Sequence, residues 1–126
     1  MNASLADAGL ESSDIGYINA HATATAKGDI EESHATYAVF GSKTAISSTK
    51  GYMGHLLGGC GVVESIIGLI ALNDNLIPAN KNLDEVDDAC ADLDYVRENR
   101  EENISHVMTN NFAFGGINTS LIFSQV

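Results

Sequence analysis

The chain has 126 residues, 44% apolar and 18% charged, with a net charge of −11, 12 glycines and one proline. Such a chain carries enough apolar material to bury the core of one domain, which excludes a disordered segment or a flexible Gly/Pro linker. The acid gathers at residues 29–32 and 84–102 while the Lys and Arg are scattered. No basic stripe is left to follow a phosphate backbone, so nucleic-acid binding is excluded.

In chain order, residues 1–10 read as the end of a helix. Ala3, Leu5, Ala6 and Ala8 favour helix, and Gly9 stops it. No basic segment followed by an apolar one opens the chain, so no secretion signal is expected. Residues 12–14 form a turn, and residues 15–20 predict a strand, with Ile15, Tyr17 and Ile18 suited to a pleated surface. Residues 21–28 are irregular. Residues 29–40 return to helical spacing, closed by Gly41. Residues 44–48 predict a second strand and residues 51–54 a loop.

Residues 56–72 are apolar on nearly every side, which predicts a helix buried all round. Glu64 and four glycines interrupt it, and the stretch is short for a bilayer, so no membrane span is expected. Gly58, Gly59 and Gly61 each cost a helix about 1 kcal/mol against alanine, which predicts a second backbone lying close. Residues 74–78 turn, residues 79–103 form a long polar connection, and residues 106–111 and 119–124 predict strands around a loop at 112–118. Cys60 and Cys90 form no CxxC pair and no metal-ligand spacing with histidine. A reducing, cytoplasmic setting and no metal are therefore expected. Helices alternating with strands define an α/β layer architecture in a single domain, residues 1–126.

Two histidines have informative settings. His21 follows a strand, and His55 stands at the predicted mouth of the apolar helix; strand ends and helix starts on an α/β sheet are where sites are built. A histidine at a helix amino terminus feels the positive end of the dipole, which favours the neutral ring. A neutral imidazole can donate a hydrogen bond to a carbonyl or developing enolate oxygen. A lone histidine is nevertheless more often a satisfied core residue than a catalyst, and His34 and His106 are read as structural. Lys50, with Asp29 and Glu32, can orient and tune the two rings, or form an ordinary surface ion pair worth about 0–1 kcal/mol. The segment 110–118, with Phe112, Phe114, Gly115 and Gly116, fits an oxyanion-holding turn beside an acyl channel, or a plain hairpin over core aromatics.

Read together, these segments resemble the elongating β-ketoacyl-acyl-carrier-protein synthases. The resemblance rests on His21-Ala22-Thr23-Ala24-Thr25, Gly28-Asp29 with Glu32, Ser47-Ser48-Thr49-Lys50, Gly54-His55 with Gly58, and Asn111-Phe112-Ala113-Phe114-Gly115-Gly116-Ile117-Asn118. The motifs run in unbroken order from end to end, which is far more specific than any one alone. Ala22, Ala113 and Ile117 depart from residues common in that family.

The resemblance implies a thiolase-like fold, here its carboxy-terminal half, with a mixed sheet, layered helices and its first, central strand missing. It implies a decarboxylative Claisen condensation of an acyl thioester with malonyl-acyl-carrier-protein in fatty acid biosynthesis. His21 and His55 would bind the malonyl thioester and stabilise the enolate; Lys50 is the site lysine and Glu32 its acidic companion, with Asp29 nearby. Thr23 and Thr25 would bind the pantetheine arm, and Phe112 and Phe114 the acyl group, Phe114 as its gate. No cofactor is implied, since substrates ride on the phosphopantetheine arm of acyl carrier protein, the expected partner. The nucleophilic cysteine belongs to the other half, so the chain alone is expected to be inactive. An amino-terminal ketosynthase half or a homodimer partner would complete it. A polyketide-type ketosynthase fragment, a non-catalytic partner subunit like a chain-length factor, and a binding module using the acidic loop are the alternatives.

Overall fold

The computed structural model describes all 126 residues. A short helix α1 (Asn2–Ala8) ends at Gly9 in the left-handed conformation. Strand β1 (Tyr17–Asn19) leads into α2 (Ala26–Phe40), then β2 (Ala45–Ser47). A short helix α3 (Lys50–Met53) and a 3-10 turn (Leu57–Gly59) precede α4 (Cys60–Asp74). Strand β3 (Leu76–Ile77) follows directly. The long polar connection carries β4 (Asp94–Tyr95) and β5 (Arg100–Glu101), and the chain closes with β6 (His106–Ala113) and β7 (Ile117–Ser124).

Five strands form one mixed sheet in the order β4-β2-β1-β6-β7. β1 pairs in parallel with β2 and β6, β2 pairs in parallel with β4, and β6 and β7 form an antiparallel hairpin. β3 and β5 make a separate two-stranded ribbon. The vacancy expected at the middle of the sheet is not there. β1 holds that place, hydrogen-bonded on both edges, because the crossover through α2 sets β2 on one side and the later return sets β6 on the other.

The central strands alternate side chains between two cores, as the period of two requires. Ile18, Ile46 and Met108 point to one face with Leu5, Ile15 and Leu93. Tyr17, Ala45 and Val107 point to the other with Ala71, Leu72, Ile77, Val96 and Ile104. These strands are buried on both sides, which explains their apolar composition.

Several expectations need correction. The loop at 51–54 is the helix α3. The connection at 79–103 holds two short strands, and residues 112–118 are mostly strand, with a three-residue tip from Phe114 to Gly116. The expected close backbone approach is not at Gly58 or Gly61, which have open space where a Cβ would stand. Within α4 the close contact is at Gly68, where a Cβ would lie 3.2 Å from the Val107 side chain as α4 crosses β6; another backbone is met at Gly51, where a Cβ would lie 3.0 Å from the Lys81 carbonyl oxygen. Nor is α4 buried all round. Val62, Ile66, Leu69 and Ile70, spaced along one side, are exposed. Apolar content alone does not say whether the covering surface lies within the same chain.

By length and hydropathy alone Leu57–Asp74 could cross a bilayer. Its regular helix is 15 residues, about 22 Å at 1.5 Å per residue, short of the roughly 30 Å hydrocarbon core. Glu64, in its second turn, is fully buried and paired with Lys50. α4 is a core helix with one uncovered side.

Candidate active site

His21 stands two residues past β1, at the carboxyl edge of the sheet, and His55 lies between α3 and the 3-10 turn. Their rings meet edge to face with centroids 5.5 Å apart. One small group can touch both. The Phe112 ring, on β6, lies 6.0 Å from that of His21.

Burial, then the charge of Lys50, then the neighbouring His55 lower the pKa of His21, against a hydrogen bond that the ring donates to Asn111. The ring is therefore neutral at pH 7 and available as a donor. His55 stands two residues before the helical stretch Leu57–Asp74, at its mouth as expected. Its ring is oriented by contacts with that first turn. The Leu57 N–H points at Nδ1 from 3.3 Å, and Cys60 Sγ lies 2.9 Å from the same atom.

Lys50 opens α3 and is buried. Its ammonium pairs with Glu64, not with Glu32. Asn111 Nδ2 donates to the other Glu64 oxygen at 3.0 Å. The chain thus links α3, α4 and β6 through one buried network beside His21. Glu64 and Asn111 were missed as members of the site. The signal for Glu64 was present: an acid alone in an apolar helix must find a partner or stay neutral.

Glu32 does a different job. Its two oxygens accept the backbone N–H of His21 at 2.9 Å and of Ala22 at 2.7 Å, anchoring the loop that carries the ring. Burial raises its pKa to about 7, against the two backbone donors. Burial also raises the pKa of Asp29, opposed by the backbone groups of Thr23, Ala24 and Thr25. Thr23 and Thr25 are joined through their hydroxyls at 3.2 Å. Ala24 between them has φ 58°, and Leu57, two residues after His55, has φ 53°. Left-handed backbone at a non-glycine residue is strained, and here it falls in the loop of each histidine.

Phe114 is not brought to the rings: it stands fully exposed at the hairpin tip, where Gly115 and Gly116 both have positive φ. His34 and His106 bond Ala89 and Ser124 and take no part. A cavity of about 280 Å³ lies between α2 and the acidic connection; Ala20 and Ala22, on either side of His21, line it with Glu32, Ile46 and Leu93, and neither histidine ring does.

The fold is the carboxy-terminal half of the thiolase-like architecture. The family described as Beta-ketoacyl synthase, C-terminal domain, matches residues 1–84. The 3-oxoacyl-[acyl-carrier-protein] synthase 2 of Coxiella burnetii is 45% identical over 130 residues, covering 100% of this chain and 31% of that protein. The crystal structure of a β-ketoacyl synthase from Burkholderia phymatum superposes with a TM-score of 0.98 at 50% identity, again over 100% of this chain and 31% of that one. A ketosynthase from Xenorhabdus doucetiae, solved in complex with its chain length factor, gives a TM-score of 0.95 at 36% identity, covering 100% of this chain and 32% of that one. The chain belongs to the β-ketoacyl synthase family, as its carboxy-terminal part. It spans 31% of the length of the Coxiella relative.

Proposed function

We propose that the chain is the malonyl-binding, decarboxylating part of a 3-oxoacyl-[acyl-carrier-protein] synthase of fatty acid biosynthesis in the cytoplasm. The observation that carries this reading is the edge-to-face pair His21 and His55, 5.5 Å apart at the carboxyl edge of the sheet. Both imidazoles donate to the thioester carbonyl oxygen of malonyl-acyl-carrier-protein. The carboxylate leaves as carbon dioxide, its bonding pair passes to the α-carbon, and the enolate oxygen is held by the two N–H donors. The α-carbon then attacks an acyl thioester carried on a cysteine of the other half; the C–S bond breaks, the cysteine leaves as thiolate, and the 3-oxoacyl group stays on the carrier. Lys50 and Glu64 keep His21 in place and neutral, Glu32 anchors its loop, and Thr23 and Thr25 hold the pantetheine arm. No cofactor is needed.

Neither cysteine here is the nucleophile. Cys60 is 1% exposed and faces the inner edge of His55, and Cys90 lies in the acidic connection. The uncovered side of α4, from Val62 to Ile70, is the surface on which the cysteine-bearing part of a longer protein, or a partner chain, packs. The strongly acidic chain repels an acidic carrier protein, so the basic docking surface comes from that part too.

The test combines this chain with a matching amino-terminal segment and measures carbon dioxide release from malonyl-acyl-carrier-protein. His21→Ala and His55→Ala are each expected to lower the rate by about 10²–10³, as loss of one oxyanion donor does. Unchanged rates in both variants overturn the reading. The chain alone is expected to show no condensation.

A further inference from the structure

We infer that Cys60 is a positioning residue that sets the tautomer of His55, an inference resting on the role proposed above for that ring. Cys60 opens α4 and its side chain is almost wholly buried. The Leu56 N–H donates to Sγ at 3.2 Å, which uses a sulfur lone pair. The thiol proton is then free to point at His55 Nδ1, 2.9 Å away. The Leu57 N–H points at the same nitrogen.

Two donors converge on Nδ1, so that atom carries the lone pair and the ring proton sits on Nε2. The opposite tautomer would set Nδ1–H against the Leu57 N–H, donor to donor, and so would a thiolate–imidazolium pair. At 3.3 Å that N–H disfavours both without fixing the ring by itself; the nearer thiol, at 2.9 Å, completes the preference. Leu57 holds a left-handed φ of 53°, a strained turn directly after the N–H that faces the ring. Cys60 is thus not a spare nucleophile. It turns its proton inward so that His55 presents Nε2–H outward to the substrate oxygen, and it does so through His55 without touching the substrate.

The experiment labels the histidines of the full chain with ¹⁵N and records long-range proton–nitrogen correlations of His55 at pH 7, without substrate. The wild type is expected to show one tautomer, protonated at Nε2. Cys60→Ser keeps a donor and is expected to keep that pattern. Cys60→Ala retains only the Leu57 donor and is expected to show both tautomers. In the assembled protein Cys60→Ala is expected to lower kcat for decarboxylation about fivefold, the worth of one neutral hydrogen bond, with KM for malonyl-acyl-carrier-protein unchanged. A proton on Nδ1 in the wild type overturns the proposal, and so does a Cys60→Ala spectrum identical to wild type. Alkylation of Cys60 by iodoacetamide faster than Cys90 in the native protein also overturns it, because it identifies an exposed thiolate. If Cys60→Ala does not fold, the wild-type tautomer and the alkylation rates still decide. The spectra are read without turnover, so the expected tautomer together with absent decarboxylation refutes the proposed function and leaves the positioning role standing.

Discussion

Glu64 offers the sharpest test of how this site is held. It sits in the second turn of α4 with no exposure, one oxygen on the Lys50 ammonium and the other accepting from Asn111 at 3.0 Å. Glu64→Ala strands a buried ammonium. Removing one partner of a buried pair costs about 3–5 kcal/mol, because the remaining charge stays desolvated without compensation. Against a typical total stability of about 5–15 kcal/mol, that is a large share. The double variant Lys50→Met with Glu64→Leu removes both charges and keeps the volume, so it is expected to recover most of the loss. Urea denaturation of the single and double variants at one protein concentration measures both. A Glu64→Ala loss below about 1 kcal/mol refutes the reasoning, and so does a double variant no more stable than the single one. The double variant has a second use. Lys50 is the largest charge lowering the pKa of His21, so in a folded protein without it the His21 midpoint, followed by NMR, is expected to rise. A stable double variant with an unmoved His21 midpoint shows that burial alone sets the ring's neutrality.

The remaining predictions concern the loops around the rings. Glu32 has its pKa raised from the ordinary 4.5 to about 7, so folding takes up a proton between these values. Its contribution to stability is fully present below 4.5 and is lost as pH rises through 7, by up to about 3 kcal/mol. Glu32→Gln is expected to flatten that part of the curve of denaturation midpoint against pH; a wild type and variant with parallel curves from pH 4.5 to 7 refute the assignment. Phe112 and Phe114 separate cleanly. Phe114→Ala is expected to change stability by no more than about 0.5 kcal/mol, as for an exposed side chain. Phe112→Ala, which removes the ring against His21, is expected to slow decarboxylation in the assembled protein; equal rates for Phe112→Ala and wild type contradict its place beside the site.

The sequence alone determined the order of the main helices and strands, the α/β class and the family. These rest on local quantities: the period of apolar residues, the punctuation by Gly9 and Gly41, and motifs such as His21 to Thr25 in unbroken order. His21, His55 and Lys50 were legible for the same reason. Partners distant along the chain were not. Glu32 was read as the companion of Lys50 from the family resemblance, which matches residue types along the chain and not contacts between them. Only the crossing of α4 over β6 brings Glu64 to the lysine and leaves Glu32 free to bind the His21 and Ala22 backbone. The vacancy expected at the sheet's centre disappeared once the pairing of β1 with both β2 and β6 was seen. The exposed side of α4 carries the same lesson. Composition records that a side chain avoids water; only the three-dimensional packing says which surface shields it, and for Val62, Ile66, Leu69 and Ile70 no surface within this chain does.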